Sequence, residues 1–383
     1  MSFAYYTQVG KKLLRRGFTT GSCAALAAKA AAQLLFSGSR PAEVEIVTPL
    51  GIPVKVPVVE AALKNNEACC AVQKDAGDDP DVTDGVLIYA KVCKTAQPGI
   101  LIKGGCGIGR VERPGLDQPV GAAAINRVPR QMIRQEVQAV CARFAHQGGA
   151  EVTISIPQGA ELARRTFNAR LGIAGGISVL GTSGIVEPRS TQALLDCIAL
   201  ELRTLAAAGN RGVIFTPGNY GEAFIAAHVQ LASARVPTVK CSNYIGAALD
   251  FAVAGGFNRI LLVGHLGKFI KLAGGIMNTH SKVADCRMEL FAAHAALAGA
   301  GRETVARLMQ ATTTEACIPI LEAGGLKTAV FCSLLQNIQT HLRHRTGPGV
   351  ISGAVLFSNE HGLLGQTGTV AALINSFQQA TYQ

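Results

Sequence analysis

Five aspartates stand within ten residues of a chain that is otherwise basic. They are Asp75, Asp78, Asp79, Asp81 and Asp84. Carboxylates packed this closely repel one another unless a cation, a hydrogen-bonding ligand or the need for a base offsets the cost. The segment could therefore remove a proton from a substrate or hold a cation. It could equally be a solvated turn whose Asp side chains accept hydrogen bonds from nearby amides, and its spacing does not match an EF-hand loop.

Four apolar segments are each followed by a loop that contains small or polar residues. They are Ile177–Leu180, Val213–Phe215, Val239–Cys241 and Ile260–Val263. Four strand–loop–helix units in succession predict a parallel sheet of the Rossmann type. Because ligands bind beyond the carboxyl ends of the strands in such sheets, the four loops are candidates for one binding edge.

The first three of these loops offer groups suited to an amino-acid carboxylate and to an adenosine. Their residues are Gly181, Thr182, Ser183 and Gly184; Asn219, Tyr220 and Gly221; and Ser242, Asn243 and Tyr244. Glycine permits close approach of backbone amides to a carboxylate, and amide and phenol side chains can bind an adenosine. Glycines after strands are also common turn residues. The lack of a full G-x-G-x-x-G pattern argues against a dinucleotide.

The fourth loop begins with His265 and continues to Lys268. A histidine at a strand end can work as an acid, a base or a ligand, and a lysine can meet substrate carboxylates. Asn278 and His280 follow a few residues later. The alternative for His265 is a core histidine whose nitrogens are satisfied by backbone groups, and the residues alone leave both interpretations open.

A glycine-rich segment runs from Gly104 to Gly109 and is followed by Arg110. Its amides could cradle an anion, with Arg110 and Arg113 nearby. The segment lacks the Gly-Lys-Ser/Thr ending of a P-loop, so a nucleotide phosphate site is weakly supported. A tight structural turn explains the glycines equally well.

The composition narrows the classes of protein that these residues could serve. The chain has 383 residues and a formal net charge of +11, which favours an anionic partner. Aromatic residues make up 5%, which argues against a base-stacking surface for nucleic acid. The 11 cysteines contain no C-x-x-C pair, so we expect free thiols in a reducing cytoplasm rather than a zinc ribbon. A membrane span is not expected, because no uncharged apolar run reaches about 18 residues.

The elements that must position these residues differ between the two halves of the chain. In the first half we predict helices over residues 22–36 and 130–146, hairpin-like strands, and a polar loop from Asp75 to Gly85. This mixture is typical of an α+β domain, which we assign to residues 1–172. We predict a Rossmann-like α/β domain with a mainly parallel sheet for residues 173–383.

Several strings of residues together resemble the CbiD family of C1-methyltransferases. They are Gly17–Cys23, Lys74–Asp81, Gly105–Val111, Pro114–Leu116, Ala124–Asn126 with Pro129–Arg130, Gly181–Pro188, Gly264–Lys268 and Asn278–Ser281. The strings occur in order over residues 17–281, and Lys-Asp-Ala-Gly-Asp-Asp-Pro-Asp is the most specific. Ser22 stands where the family pattern has Thr, and Cys106 where a less reactive residue is usual. The last hundred residues carry no assignable motif.

The resemblance implies an activity that composition could not indicate. The substrate would be cobalt-precorrin-5B, the methyl donor S-adenosylmethionine, and the product cobalt-precorrin-6A of anaerobic cobalamin (vitamin B12) biosynthesis. Cobalt would enter only within the substrate, and no protein metal site is expected. The implied partner is an anionic tetrapyrrole rather than a nucleic acid or a membrane, and homo-oligomer formation is left open.

The motifs and the resemblance together suggest three groups of site residues. The predicted catalytic residues are Asp75, Asp78, Asp79, Asp81 and His265. The predicted donor-binding residues are Gly181–Gly184, Asn219–Gly221, Ser242 and Asn243. The predicted substrate-binding residues are Thr19, Thr20, Lys74, Arg110, Arg130, Lys268, Asn278 and His280. The hypothesis places the donor at the second-domain loops and the macrocycle against the Asp-rich loop, in a cleft between the domains.

Two other functions also fit parts of the pattern. A non-catalytic tetrapyrrole carrier would use the same basic residues and would need no donor pocket. A magnesium-dependent phosphoryl-transfer enzyme would place the aspartates on Mg²⁺ and the glycine loops on phosphates. Binding of the donor separates the methyltransferase from both.

Overall fold

A computed structural model describes residues 3–9, 11–166, 168–232 and 236–380. The chain forms two compact units, Met1–Thr191 and Gln192–Gln383. This boundary lies after the predicted one at residue 172, because the intervening segment pairs with the first unit. Ile185 and Val186 pair with Phe18 and Gly17, and Val179 forms a bridge with Ile125.

The first unit is built from short strands and three helices. Its strands are β1 (Tyr6–Val9), β2 (Lys12–Arg15), β3 (Gly17–Phe18), β4 (Glu43–Val47), β5 (Pro53–Pro57), β6 (Glu60–Lys64), β7 (Glu67–Gln73), β8 (Leu87–Thr95), β9 (Ile100–Gly104), β10 (Arg110–Val111), β11 (Gly149–Ser155), β12 (Ile173–Ala174) and β13 (Ile185–Val186). Its helices are α1 (Thr20–Ser37), α2 (Arg127–Arg143) and α3 (Gly159–Ala163). The main sheet has the order β6-β7-β8-β11-β9, and β11 with β9 is its parallel pair.

The long helix α1 lies at the centre of the first core. Thr19 caps it by accepting the amide of Ser22, and Gly38 ends it in the left-handed conformation. Alanine favours a helix and leaves little bulk, so α1 can pack closely against both α2 and strand β8. Fourteen of its eighteen residues are buried as a result. The predicted α+β character of this half agrees with the structure.

The second unit contains a five-stranded sheet with helices on both faces. Its strands are β14 (Gly212–Thr216), β15 (Thr238–Lys240), β16 (Arg259–His265), β17 (Ile351–Ser358) and β18 (Gly362–Gln366). Its helices are α4 (Thr191–Ala207), α5 (Asn219–Ala227), α6 (Val229–Ala232), α7 (Ile245–Ala254), α8 (Leu266–Phe269), α9 (Arg287–Leu297), α10 (Arg302–Gln310), α11 (Thr314–Ala323), α12 (Lys327–Thr346) and α13 (Val370–Ala380), with a 3₁₀ turn at Ile270–Gly274. The sheet order is β15-β14-β16-β17-β18, and its first four strands are parallel.

The direction of winding reverses between β14 and β16. Helices α5, α6 and α13 pack on one face of the sheet, and α7, α9, α11 and α12 pack on the other. Strands of a parallel sheet covered on both faces should be apolar throughout, and all five residues of β14 are buried. The loops after β14 and β16 therefore leave the sheet side by side.

Three of the four predicted strand–loop–helix units are present in this sheet. The strand predicted at Ile177–Leu180 was wrong: Ile177 and Val179 form isolated bridges to Ile108 and Ile125 in the first unit. Strand β17, the fourth parallel strand, was not predicted from the sequence. In the described residues, no helix combines the length and apolar character needed to cross a membrane.

Candidate functional site

The Asp-rich loop is held by Arg15, the last residue of β2. Both terminal guanidinium nitrogens of Arg15 donate to Asp75, at 2.6 and 2.8 Å. The backbone amide of Arg15 donates to Asp78 at 2.6 Å. Two of the five carboxylates are thus bound by one residue.

The other three carboxylates of the loop also accept hydrogen bonds from the protein. Asp81 accepts from the ammonium of Lys74 at 2.7 Å, and the side chain of Lys74 is only 1% exposed. Asp79 accepts the amide of Arg189 at 3.0 Å, and Asp84 that of Ala76 at 2.8 Å. The segment is therefore an Asx-rich structural turn, and the position of Lys74 does not suit the predicted contact with a substrate.

The ionisation of the loop agrees with this structural role. Hydrogen bonding from Arg15 lowers the pKa of Asp75 despite its partial burial. Burial alone would raise the pKa of Asp81, but Lys74 and Thr83 outweigh it and hold the pKa below its usual value. Carboxylates stabilised in the ionised form are weak proton acceptors at neutral pH. Asp75 and Asp81 consequently fit poorly as the predicted general base.

The Gly181–Gly184 loop lies against the start of α1. The amides of Thr19 and Gly21 donate to the carbonyls of Gly184 and Leu180, and the Ser22 hydroxyl also donates to Gly184, at 2.7 Å. A Cβ atom at Gly181 would collide with the side chain of Thr19. The prediction that this loop lies at the edge of the second sheet was wrong, because these contacts tie it to the first unit.

Thr19 and Thr20 take part in the contact between the start of α1 and the segment Leu180–Gly184. Thr19 caps α1, and Thr20 is 7% exposed and accepts the amide of Leu180 at 2.9 Å. Neither arrangement favours the predicted role in substrate binding. Thr182, by contrast, is exposed.

The glycine-rich segment before Arg110 is a tightly packed turn. A Cβ atom at Gly107 would collide with the carbonyl of Ile156, and one at Gly109 with the side chain of Ile173. The glycines are therefore needed because neighbouring chain segments approach the backbone too closely for any Cβ atom. This favours the structural turn over the anion cradle.

The two arginines predicted to bind substrate differ in availability. Arg130 donates to the carbonyls of Ile125 (2.8 Å), Ile102 (3.2 Å) and Ala123 (3.3 Å). Burial lowers its pKa, with a smaller effect from Arg134. Arg110 is exposed and donates to the carbonyl of Gly121 at 3.0 Å. Three of the five donors of partly buried Arg130 are thus bonded to the backbone, whereas exposed Arg110 is the more available of the two.

In the second unit, the loops after β14 and β15 are joined by a lysine that the sequence analysis did not single out. Lys240 donates to Asn219 at 2.9 Å and pairs with Glu222 at 2.7 Å. Tyr220 is 70% exposed, whereas Gly221 is buried where any Cβ would collide with Thr216. Lys240 is the last residue of β15, and this position at a strand end is the sequence signal that could have identified it.

The loop after β15 meets the segment Asn278–His280. Thr279 donates its amide to the carbonyl of Asn243 at 2.9 Å, and Tyr244 forms a bridge with Asn278. Ser242 has a φ of 53°, which is unusual for a residue other than glycine, asparagine or aspartate. Such conformations concentrate at functional sites. The predicted residues 242, 243, 278 and 280 therefore share one surface.

His265 ends β16 and caps α8. Its Nδ1 accepts the amide of Gly267 at 3.2 Å, and its Nε2 lies 2.9 Å from Oε1 of Glu315. The other oxygen of Glu315 accepts the hydroxyl of Ser358 at 2.8 Å. Nδ1 is thus engaged in capping α8, which favours a positioning role for this nitrogen. Nε2 faces a carboxylate oxygen that has no hydrogen-bond partner among the described residues. Glu315 was not predicted from the sequence, although it lies in the first turn of α11 after the capping Thr313.

Lys268 is a half-buried cation at the same edge. Burial lowers its pKa, with a further contribution from Lys271. Lys271 is buried and donates to the carbonyls of Thr279 and Ala284, at 3.2 and 2.8 Å. Among the described residues, no hydrogen-bond acceptor or carboxylate meets the ammonium of Lys268. It is available to an anionic ligand.

Three side chains near the end of β17 could share a metal ion. Ligand atoms of Glu315, Glu360 and His361 lie within 4.8 Å of one another, close enough to share an ion.

All 11 cysteines are free. Burial raises the pKa of Cys23 and Cys241 to about 12, so these two thiols stay protonated and unreactive at neutral pH.

Comparison with known proteins assigns both parts of the chain to one family. The CbiD family model matches residues 7–188, and the model of the CbiD C-terminal domain matches residues 278–368. The cobalt-precorrin-5B C(1)-methyltransferase of Ruminiclostridium cellulolyticum is 48% identical over 91% of this chain and 90% of that protein. The protein of the same name from Alkaliphilus metalliredigens is 43% identical over 97% and 96% of the two chains.

A solved structure also matches this chain. It is the crystal structure of the cobalamin biosynthesis protein CbiD from Archaeoglobus fulgidus, with 27% identity and a TM-score of 0.40 over 74% of this chain and 87% of that chain. The two family models and the near full-length relatives show that the chain belongs to the CbiD family.

Proposed function

We propose that this protein transfers a methyl group from S-adenosylmethionine to C1 of cobalt-precorrin-5B, a step of cobalamin biosynthesis. The observation that carries the proposal is identity of 43–48% over at least nine-tenths of the chain to two proteins named for this activity. The basic net charge of +11 suits a substrate that carries acetate and propionate groups.

The carboxyl edge of the second sheet is the region that best fits the methyl donor. In an open parallel sheet, ligands bind where the strand order reverses, which here lies between β14 and β16. A Cβ atom at Gly218 would project into open space, so the backbone after β14 is accessible. Asn219, Ser242 and Asn243 offer neutral groups suited to an adenosine. This arrangement supports a Rossmann-like mode of binding.

S-adenosylmethionine supplies an electrophilic methyl group when it is bound. The acceptor is a carbon of the macrocycle, so no serine or cysteine nucleophile is required. The protein's part is to hold the reacting groups in line and to keep water away. We infer that Lys268 binds a substrate carboxylate, and we keep Arg110 as a carboxylate partner on the first unit.

The Asp-rich loop has a supporting role in this proposal. Its carboxylates anchor the backbone of residues 74–85 to Arg15, Lys74 and Arg189. The exposed residues Asp78 and Asp84 are the members that could still reach a ligand through their other oxygens. We therefore expect the loop to shape the first unit rather than to move a proton.

Titration of the protein with S-adenosylhomocysteine tests the donor site. Ser242→Ala and Asn219→Ala should weaken binding, and Lys64→Met, an exposed change on β6, should leave it unchanged. A Gly184 substitution is a poor probe of the donor site, because a Cβ there would strike Thr48 and Ser22 in the first unit.

Methyl transfer itself is measured by incubation with cobalt-precorrin-5B and S-adenosylmethionine, with mass spectrometry of the product. Gain of one methyl group at C1 supports the proposal. Binding of the tetrapyrrole with no donor binding, even when both are present, would indicate a carrier instead.

A further inference from the structure

The first unit contains a cavity that none of the motifs predicted. Its volume is about 340 Å³, and it is a half-open depression bordered by α3, by residues 169 and 172 after it, and by the chain on either side of the β10–β12 ladder. Ala160, Ala163 and Ile173 line it with apolar surface, and the exposed residues Arg113 and Arg164 border it. A concave apolar surface with a few polar groups is the usual form of a small-molecule site.

Arg113 is held at the cavity wall by the β10–β12 pairing. Arg110 and Val111 pair with Ala174 and Ile173, and the amide of Glu112 donates to the carbonyl of Gly172 at 2.8 Å. Gly172 has a φ of 70°, and a Cβ atom there would come within 2.7 Å of the Arg113 side chain. The stem of Arg113 therefore packs directly on the Gly172 backbone, which keeps its Cβ–Cδ atoms at the border of the cavity.

Arg164 lies on the opposite element, at the end of α3. Its amide donates to the carbonyl of Glu161 at 3.2 Å, which fixes its backbone. In the described parts of the chain, neither Arg164 nor Arg113 meets a carboxylate or a carbonyl with its guanidinium group. Arg15 and Arg345, in contrast, each bind an aspartate through two nitrogens.

Two arginines without a protein partner among the described residues, next to an apolar surface, suit one class of ligand. An alkyl carboxylate places its chain on apolar surface and its oxygens against an arginine fork, which binds them bidentately. Glu112 also borders the cavity, so the wall carries two positive groups and one negative group. The excess positive charge selects an anion, and Glu112 opposes it.

We propose that this cavity binds the acetate or propionate arms of the tetrapyrrole through Arg113 and Arg164. The class of ligand, an alkyl carboxylate, follows from the cavity itself. Its identification as an arm of the tetrapyrrole rests on the proposed function. Both arginines are then specificity-determining residues for substrate and do not contact the methyl donor.

The test measures substrate affinity apart from donor affinity. Arg113→Gln and Arg164→Gln should each raise KM for cobalt-precorrin-5B about tenfold, because each loses a charge-assisted pair, with kcat and S-adenosylhomocysteine affinity unchanged. Uroporphyrin, a stable tetrapyrrole with acetate and propionate arms, provides a second readout by fluorescence quenching. Its affinity should fall by a similar factor in both variants and rise in Glu112→Gln.

Arg302→Gln, an exposed change at the start of α10, is the matched control and should alter neither value. Unchanged KM and unchanged uroporphyrin affinity in the Arg113 and Arg164 double variant would overturn the inference while methyl transfer stands. If the unaltered protein transfers no methyl group, yet uroporphyrin binding still depends on both arginines, the proposed function fails and the carboxylate site remains.

Discussion

The Asp-rich loop of the first unit and the carboxyl edge of the second sheet use polar residues in opposite ways. In the loop, the carboxylates are bound by Arg15, Lys74 and backbone amides. At the edge, Lys268 meets no carboxylate within the described residues, and Ser242 is held with a positive φ. The loop stabilises its own unit, whereas the edge keeps groups available to a ligand.

This difference shows that density of charge is a poor guide to chemistry. The aspartates are the most conspicuous residues in the sequence, yet the lowered pKa values of Asp75 and Asp81 favour the ionised form of these two. The less conspicuous Lys268 at the edge has its pKa lowered by burial, so a bound anion would stabilise its charged form. We therefore expect loop variants to lose stability and edge variants to lose binding.

The largest effect is expected for Asp81→Asn. The change leaves the buried Lys74 ammonium without its counter-charge, which should lower the free energy of unfolding by roughly 3 kcal/mol. Because the folded pKa of Asp81 lies below its unfolded value, the contribution is present above about pH 4 and is lost as the pH falls through the folded value. Urea unfolding at pH 7 measures the change.

The double variant Lys74→Met with Asp81→Asn is the control, and it should recover part of the loss because no buried charge remains. An Asp81→Asn protein with unaltered stability and no methyl transfer would contradict the structural role of the loop. It would indicate that Asp81 acts in catalysis.

An intermediate effect is expected for Lys268→Met. Loss of an ammonium that binds a substrate carboxylate should raise KM for cobalt-precorrin-5B about tenfold, with stability nearly unchanged. KM of the unaltered enzyme should rise with pH as Lys268 loses its charge. Because burial lowers the pKa of Lys268, this rise should begin at a lower pH than it would for a lysine of ordinary pKa. Steady-state kinetics across alkaline pH test both statements.

Lys268→Arg should keep its charge over the same pH range and remove the rise in KM, and Lys64→Met provides the exposed comparison. A KM that does not depend on the charge at position 268 would show that the edge does not bind the substrate here.

The smallest effect is expected for Ser242→Gly. Glycine relieves the positive φ but adds freedom to the unfolded chain, so the free energy of unfolding should change by no more than about 0.5 kcal/mol. Loss of the hydroxyl should weaken S-adenosylhomocysteine binding roughly threefold to tenfold. Calorimetric titration and thermal unfolding, with Ser242→Ala alongside, separate the hydroxyl from the backbone.

Much of the fold could be predicted from local patterns. The alanine-rich helix α1, the polar loop after Lys74 and the strands β14, β15 and β16 follow from propensity and apolar runs. Strand β17 was missed although its residues Ala354–Phe357 are apolar, because its pairing with β16 spans a long helical insertion. The segment Ile177–Leu180 is apolar in the same way and forms no strand.

The candidate site could be predicted in part. Residue types and strand ends identified Asn219, Ser242, Asn243 and His265, which lie on the second unit as expected. The loop Gly181–Gly184 has the same local signals but packs on α1, since its carbonyls satisfy the amides at the start of that helix. Which unit the loop packs against depends on a helix that is distant in the sequence, and local residue patterns do not predict that contact.

The sequence by itself determined the family, the types of the polar residues and most of the elements, because motifs, helix propensity and apolar periodicity are local properties. The tertiary structure alone decided which polar groups remain free. Arg15 neutralises Asp75 across 60 residues, Glu315 approaches His265 across 50, and Gly172 packs against the stem of Arg113. The pKa of a side chain and its access to a ligand depend on such neighbours, and the fold brings these together.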